Sequence, residues 1–130
     1  MAQETVRVAL VGGGRTGTPL LEDLLKRPFV EVVGLADKDL ESPGARLARA
    51  NGVFVCENAD VLAAKANDID VIIEVSGDAA VKAALKDAFV AQGNRKTVIV
   101  HDIVARMMLS IVGNSDTLIE TYHPEDLGVG

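Results

Sequence analysis

Three glycines near the start of the chain have the spacing of an anion-binding turn. The pattern G-x-G-x-x-G is formed by Gly12, Gly14 and Gly17. It follows a short, nearly continuous apolar run, Val6 to Val11, that is typical of a buried parallel strand. The first glycine permits a tight turn, the second lets a pyrophosphate approach the backbone, and the third lets the next helix pack on the strand. Backbone amides from Arg15 and Thr16 onward would face the anion, so we expect a pyrophosphate site; a glycine-rich turn without a ligand is the alternative.

An acidic residue stands where a ribose would be bound. Asp37 follows a second apolar run and lies about 20 residues after Gly17, the spacing of a carboxylate that accepts the adenosine ribose hydroxyls. A 2′-phosphate would meet like charge there, so NAD is favoured, although the adjacent Lys38 softens the preference and leaves NADP as the alternative cofactor. A turn aspartate that caps the following loop is the structural alternative.

Two later strand ends also carry residues that suit a cofactor site. Ser76 and Gly77 close a predicted strand, and a turn with so little side chain lets a cofactor run along its backbone. Glu74 lies inside that strand, where a buried carboxylate needs a partner or water. His101 ends the last predicted strand and is the candidate general acid or base of hydride chemistry, but a loop histidine without this role is the favoured interpretation.

Apolar runs and helical patterns alternate along the chain. The predicted strands cover Val6 to Val11, Val30 to Ala36, Val53 to Cys56, Val71 to Val75 and Thr97 to Val100. The predicted helices cover Thr16 to Lys26, Pro43 to Ala50, Ala59 to Ala66, the segment between Asp78 and Gly93, and Ile103 to Val112. Such alternation requires right-handed crossovers. It predicts an α/β fold: a Rossmann-type doubly wound parallel sheet of at least five strands with helices on both faces.

Two predicted helices have informative faces. In the helix after Asp78, the buried face is expected to contain Val81, Leu85, Ala88 and Phe89. Its solvent face is expected to contain Lys82, Lys86 and Asp87. The last helix, Ile103 to Val112, is apolar nearly all round, with only Arg106 and Ser110 as a polar stripe. One domain cannot bury such a helix alone, so we expect it to form a homodimer or to bind a partner protein; a tail that folds back over it is the alternative.

Length and composition narrow the classes of protein. With 130 residues and 48% hydrophobic residues, we expect one cofactor-binding domain over residues 1–112 and a polar tail over residues 113–130. A net charge of −6 without a basic cluster argues against nucleic acid. We expect a cytoplasmic protein for three reasons: the apolar runs are too short to span a membrane, Cys56 is the single cysteine, and the sequence shows no leader pattern. His101 and His123 lie far apart, so no metal site is expected.

Three motifs together resemble a known group of oxidoreductases. They read Val-Ala-Leu-Val-Gly-Gly-Gly-Arg-Thr-Gly, Val-Val-Gly-Leu-Ala-Asp-Lys-Asp and Asp-Val-Ile-Ile-Glu-Val-Ser-Gly. Over residues 6–101 the chain resembles the NAD(P)-binding domain of homoserine dehydrogenase, aspartate dehydrogenase and dihydrodipicolinate reductase. The resemblance implies that the glycine motif with Arg15 and Thr16 holds the pyrophosphate, Asp37 the adenosine ribose, and Ser76 and Gly77 the nicotinamide side.

The resemblance does not extend to a substrate domain, because fewer than 30 residues follow Asp102. The chain is also similar to NAD-binding modules attached to sensor kinases and to the dinucleotide half of redox-sensing repressors. We therefore rank first a dinucleotide-binding module, with NAD(H) favoured, that senses or regulates. An oxidoreductase subunit completed by a partner substrate domain or a dimer mate comes second, and an inactive structural Rossmann domain comes third.

Overall fold

A computed structural model describes residues 4–125 of the chain. The strands are β1 (Val6–Val11), β2 (Val30–Ala36), β3 (Val55–Cys56), β4 (Val71–Glu74) and β5 (Val98–Val100). The α-helices are α1 (Gly17–Leu25), α2 (Pro43–Ala50), α3 (Ala59–Ala64), α4 (Ala79–Ala91) and α5 (Asp102–Val112). A short 3₁₀ turn, Ala66–Asp68, lies between α3 and β4.

The described strands form one parallel sheet of five strands in the order β3-β2-β1-β4-β5. The chain builds outward from β1 through β2 to β3, then returns to the other side of β1 to add β4 and β5. The order therefore reverses between β1 and β4. In open α/β sheets this reversal leaves a crevice beyond the carboxyl ends of the two strands, where ligands bind. The predicted α/β fold with a doubly wound sheet is confirmed.

The two faces of the sheet are buried by different helices. Alternate residues of β1 point to opposite faces, as a strand period of two requires. Val8 and Leu10 pack in a cluster with residues of α1, α2 and α5. Ala9 and Val11 pack in a second cluster with residues of α3 and α4. Val8 to Val11 are buried on both sides of the sheet and are all apolar, so the carboxyl end of β1 is held firmly for the glycine turn that follows.

Several predicted boundaries differ from those of the structure. β1, β2 and α2 agree residue for residue with the prediction, whereas β3 begins two residues later, at Val55, and α3 ends at Ala64. The helical pattern after Ala64 continues as the 3₁₀ turn rather than as α-helix. α5 begins at Asp102, one residue early, because Asp102 joins the first turn, where a carboxylate is favourable. Residues 126–130 of the predicted tail lie outside the described residues.

Among the helices formed by residues 4–125, none has the length and apolar character needed to cross a membrane. Within the same range, His, Cys, Asp and Glu side chains form no group of three that could hold a metal ion.

Candidate functional site

A cleft of about 490 Å³ opens beyond the carboxyl ends of β1, β2 and β4. Of the residues that the sequence predicted for cofactor binding, its walls include Gly12, Gly14, Arg15, Thr16, Asp37, Lys38 and Ser76. Residues that the sequence did not predict there include Gly13, Glu57, Asn58, Asp78, Tyr122 and His123. The cleft lies at the strand-order reversal, where the architecture places a ligand.

The glycine turn, Gly12–Gly17, is shaped by close backbone contacts. Gly12 has φ +107° and its amide donates to the carbonyl oxygen of Ala36 at 2.8 Å. A Cβ on Gly12 would lie 2.9 Å from Ser76 Cα, in the neighbouring turn. A Cβ on Gly17 would overlap the carbonyl oxygen of Gly12. A Cβ on Gly14 would meet no atom within 4 Å, so this glycine faces the open cleft and leaves room for a ligand.

A second helix end packs against the same turn. The Gly44 amide, at the start of α2, donates to the carbonyl oxygen of Gly13 at 2.8 Å. A Cβ on Gly13 would lie 2.8 Å from Ser42 Oγ, which itself caps α2 by accepting from Ala45 N at 3.2 Å. The amino end of α2 therefore packs against the glycine turn at Gly13, whereas α1 begins at the end of that turn, where its dipole favours an anion. This contact was not predicted from the sequence. The segment Ser42-Pro43-Gly44 is the signal that could have indicated it, because a helix cap is followed two residues later by a glycine.

Asp37 stands beside the glycine turn at the end of β2. Its Oδ2 accepts from Gly13 N at 2.8 Å and its Oδ1 accepts from Asp39 N at 2.9 Å. Each carboxylate oxygen has two acceptor positions, so each retains one for a further donor. The backbone contacts fix the carboxylate at the mouth of the cleft with acceptor capacity left for two hydroxyl groups.

Lys38 points across the cleft to the opposite turn. Its Nζ lies 3.1 Å from Oδ2 of Asp78, the residue that caps α4 by accepting from Ala80 N at 3.0 Å. The hydrogen bond from Lys38 is the largest cause that lowers the pKa of the Asp78 carboxyl, followed by the Ala80 amide. Lys38, a residue predicted to bind cofactor, is thus engaged by a carboxylate that the sequence placed only at the start of a predicted helix.

The turn after β4 is held by a buried ion pair. Glu74 and Lys82 are 0% and 1% exposed, and Lys82 Nζ lies 2.8 Å from Glu74 Oε2. The other oxygen of Glu74 accepts from the amide of Ser76 at 2.8 Å and from its hydroxyl group. Ser76 Oγ in turn accepts from Asp78 N at 3.2 Å. The buried carboxylate therefore fixes the turn that forms one wall of the cleft.

The placement of Lys82 corrects the sequence analysis. Lys82 was expected on the solvent face of α4, but it turns inward because Glu74 offers an opposite charge in the core. An unpaired buried charge of either sign is costly, and each of these two removes that cost for the other. The partner that Glu74 required is therefore the lysine in the next helix.

The chain after α5 returns to the cleft. The His123 ring contacts Gly77 so closely that a Cβ on this glycine, whose φ is +80°, would overlap the imidazole. The Arg15 guanidinium lies 5.0 Å from the centre of the Tyr122 ring, within the range of a cation–π contact. His123 was given no role in the sequence analysis beyond its exclusion from a metal site, because its surroundings depend on contacts with segments far away in the sequence.

His101, the candidate catalytic residue, occupies a different place. It is the N-cap residue of α5 at the end of β5, and the cleft walls are formed by other residues. Gly17 and Gly77 also stand behind the walls: the first packs against Gly12, and the second against the ring of His123.

Comparison with known proteins gives a consistent class. No family model matches the chain. It is 41% identical over 75 residues to an acetaldehyde dehydrogenase of Roseiflexus castenholzii, a match that covers 57% of this chain and 22% of that protein. The chain spans a quarter or less of the length of the curated relatives it matches.

Solved structures match more of the chain. A myo-inositol dehydrogenase of Corynebacterium glutamicum has a TM-score of 0.59 at 29% identity, over 85% of this chain and 33% of that one. A scyllo-inositol dehydrogenase of Lactobacillus casei with bound NAD(H) and scyllo-inositol has a TM-score of 0.57 at 19% identity, over 86% and 35% of the two chains. The fold is that of a dinucleotide-binding Rossmann domain. These matches support that class, and the narrower likeness to the homoserine dehydrogenase group gains no support from them.

Proposed function

We propose that this chain is a module that binds NAD(H) in the 490 Å³ cleft and that its bound state has a regulatory or sensing role. The observation that carries the binding proposal is the open position at Gly14, just before the amino end of α1 and in the same cleft as the carboxylate of Asp37. An anion at Gly14 and hydroxyl groups at Asp37 are the two features that a dinucleotide presents on its adenosine side.

The proposed orientation follows from the strand order. The pyrophosphate lies over the glycine turn near Arg15, the adenosine ribose is bound by Asp37 on the β2 side, and the second nucleotide reaches the turn after β4. Two structural neighbours, the scyllo-inositol dehydrogenase and an enzyme of gentamicin A biosynthesis, have bound NAD(H) and NAD, which supports NAD(H) as the class of ligand. The Lys38–Asp78 ion pair supports NAD over NADP, since it engages the cation that follows Asp37, the residue proposed to bind the adenosine ribose.

The test is calorimetric titration of the chain with NADH, NAD, NADPH and NADP. Gly14→Asp places a carboxylate in the open anion position and is expected to abolish binding by charge repulsion and occupancy. Gly14→Ala is the matched control for folding, because a Cβ there meets no atom within 4 Å. If none of the four ligands binds the unaltered chain, or if Gly14→Asp binds them equally well, the proposal is wrong.

The sensing role requires different behaviour with the two redox states. A ligand shifts a conformational or assembly equilibrium only by binding one state more tightly than the other. We therefore expect NAD and NADH to differ in affinity or in their effect on assembly. Equal affinity together with equal effects on the sedimentation coefficient would contradict a redox-sensing role while leaving dinucleotide binding intact.

The surface proposed for assembly is one side of α5. Ile103, Met107 and Ile111 recur at intervals of four residues and are 53%, 47% and 69% exposed. Such a stripe is apolar surface that a second copy or a partner protein would cover. We propose a homodimer through this stripe; Ile111→Lys is expected to shift the sedimenting species to a monomer, and a monomer at every accessible concentration of the unaltered chain would exclude the dimer.

An oxidoreductase subunit is the second candidate, favoured by the sequence identity to acetaldehyde dehydrogenases. Hydride transfer would then need a substrate pocket from a partner domain or a dimer mate, with His101 as the candidate for proton transfer. His101→Ala in the complete assembly is expected to lower turnover; unchanged turnover would remove that role from His101.

A further inference from the structure

Residues 117–124, called here the C-terminal strap, run from the end of α5 back to the cleft. The strap is fastened to α5 by its backbone at Ile119. The Ile119 carbonyl oxygen accepts from Arg106 Nη1 and its amide donates to Ser110 Oγ, both at 3.0 Å. Arg106 and Ser110 are the polar stripe that interrupts the otherwise apolar α5. The stripe therefore has a specific use, which is to hold the strap in register.

Beyond Ile119 the strap reaches the wall of the cleft. Tyr122 covers the Arg15 guanidinium, and the His123 ring packs on Gly77 in the turn after β4. Arg15, Thr16 and Tyr122 border both the cleft and a second cavity of about 420 Å³ between α1 and α5. Tyr122, together with Arg15 and Thr16, thus separates the two cavities, and within the strap Tyr122 and His123 face the cleft.

The strap bounds the cleft without filling it. A Cβ on Gly14 has no neighbour within 4 Å even with the strap in place, and the carboxylate of Asp37 lies on the far side, next to β2. The anion and adenosine positions are therefore open. Only the half of the cleft next to β4 is bordered by His123, and that half is where the second nucleotide of a dinucleotide would extend.

We propose that the strap belongs to the ligand-binding site, with His123 as a hydrogen-bonding contact to the second nucleotide half and Tyr122 as the residue that holds Arg15 toward the pyrophosphate. This inference rests on the proposed function and deepens it. It assigns two binding residues to a segment whose sequence suggested only a polar tail, and it extends the binding domain past residue 112.

The chain offers a built-in probe of the strap. It has one tyrosine, Tyr122, and no tryptophan, so its intrinsic fluorescence reports on the strap alone. Tyrosine emission overlaps the absorption of reduced nicotinamide, so NADH bound beside Tyr122 is expected to quench it saturably, with the same Kd as calorimetry. AMP, which carries only the adenosine half, is expected to bind without comparable quenching.

Substitution of His123 separates the two halves of the ligand. His123→Ala is expected to raise the Kd of NADH roughly three- to tenfold, as for the loss of one hydrogen bond, and that of AMP less than about twofold. Ser110→Ala removes the acceptor of the Ile119 amide and so loosens the strap away from the cleft; it is expected to weaken NADH binding in the same direction, by roughly twofold. Leu118→Ala is the matched control, since Leu118 lies in the strap but borders neither cavity.

The outcomes distinguish this proposal from the one it rests on. If the unaltered chain binds no NADH, dinucleotide binding fails and the strap proposal fails with it. If NADH binds but leaves Tyr122 emission unchanged, or if His123→Ala binds NADH and AMP as the unaltered chain does, only the strap proposal is wrong. Tighter NADH binding by His123→Ala would also overturn the strap proposal, because it would mean that the cofactor must displace the His123 ring in order to bind.

Discussion

The two turns that meet at the strand-order reversal are built in opposite ways. The glycine turn after β1 depends on close steric contacts: Gly12, Gly13 and Gly17 are each pressed against neighbouring backbone or a cap with no room for a Cβ, and one carboxylate, Asp37, accepts from Gly13 N. The turn after β4, Glu74–Asp78, is held by side chains, through a buried ion pair and the hydrogen bonds of Ser76. The first turn requires positions without a side chain, and the second requires a buried pair of opposite charges.

This difference explains why the glycine turn could be predicted from the sequence, whereas the contacts of the turn after β4 could not. Glycine spacing is a local pattern of residue types that is visible in the sequence, although the contacts of Gly12 with Ser76 and of Gly13 with Ser42 involve distant segments. A carboxylate inside a predicted strand indicates that a partner is needed, but the sequence does not indicate which of several lysines is that partner. Substitutions should therefore destabilise the two turns for different reasons. In the glycine turn the cause is steric overlap, and in the turn after β4 it is an uncompensated buried charge.

Lys82→Met should give the largest effect. It leaves Glu74 as an unpaired charge in the core, for which the expected loss is about 3–5 kcal/mol in the free energy of unfolding. Urea denaturation measures it. The charge-balanced double variant Glu74→Gln with Lys82→Met should recover most of that loss; if it stays as unstable as the single variant, packing rather than charge explains the role of Lys82.

Gly17→Ala should come next. The added methyl group overlaps the carbonyl oxygen of Gly12, so the helix must shift away from the turn at a cost of about 3 kcal/mol. The same denaturation experiment on Gly14→Ala should show a change within about 0.5 kcal/mol, because that site is open. Equal stability of the two variants would contradict the steric account of the glycine turn.

Asp78→Asn tests the link across the cleft between the two regions. Asparagine still caps α4, but it removes the negative charge that engages Lys38. The freed cation should raise the affinity for NADP relative to NAD roughly two- to fivefold, the range for an exposed ion pair. Competitive titration of the two cofactors measures the ratio. An unchanged ratio in Asp78→Asn, with Lys38→Ala as the comparison, would exclude Lys38 from the choice of cofactor.

Lowering the pH should reveal a smaller contribution to stability, from the contact between Asp70 and Arg7 at the other end of β4. The amide and the guanidinium of Arg7 donate to Asp70, at 2.8 Å for the amide, and lower the pKa of its carboxyl below the ordinary 3.8. A lowered pKa means that the stabilisation is complete above the ordinary value and is lost as pH falls through the lowered one. Urea midpoints of Asp70→Asn should therefore fall less steeply in this acid range than those of the unaltered chain. Parallel curves would show that Asp70 does not carry the effect.

Much of the fold and part of the site followed from the sequence. β1, β2 and α2 were predicted to the residue, because each is bounded by a local signal: Gly12 follows β1, Asp37 follows β2, and Ser42 caps α2. Gly12, Gly14 and Asp37 were predicted as neighbours of one cleft from their spacing alone, and the structure places them there. Tyr122 and His123 were missed because nothing periodic marks the strap, and its attachments depend on residues of α5 that had been interpreted as a mere polar interruption.

The sequence by itself determined the alternation of strands and helices and the position of the glycine turn, since both follow from patterns of residue types over short stretches of the chain. Only the tertiary structure decided that Lys82 turns inward to Glu74, that Lys38 meets Asp78 across the cleft, and that the strap ends against Gly77. The reason is physical: the cost of burying a charge, and the closeness of two backbones, are settled by the partners that the fold brings together, and those partners lie in distant segments of the chain.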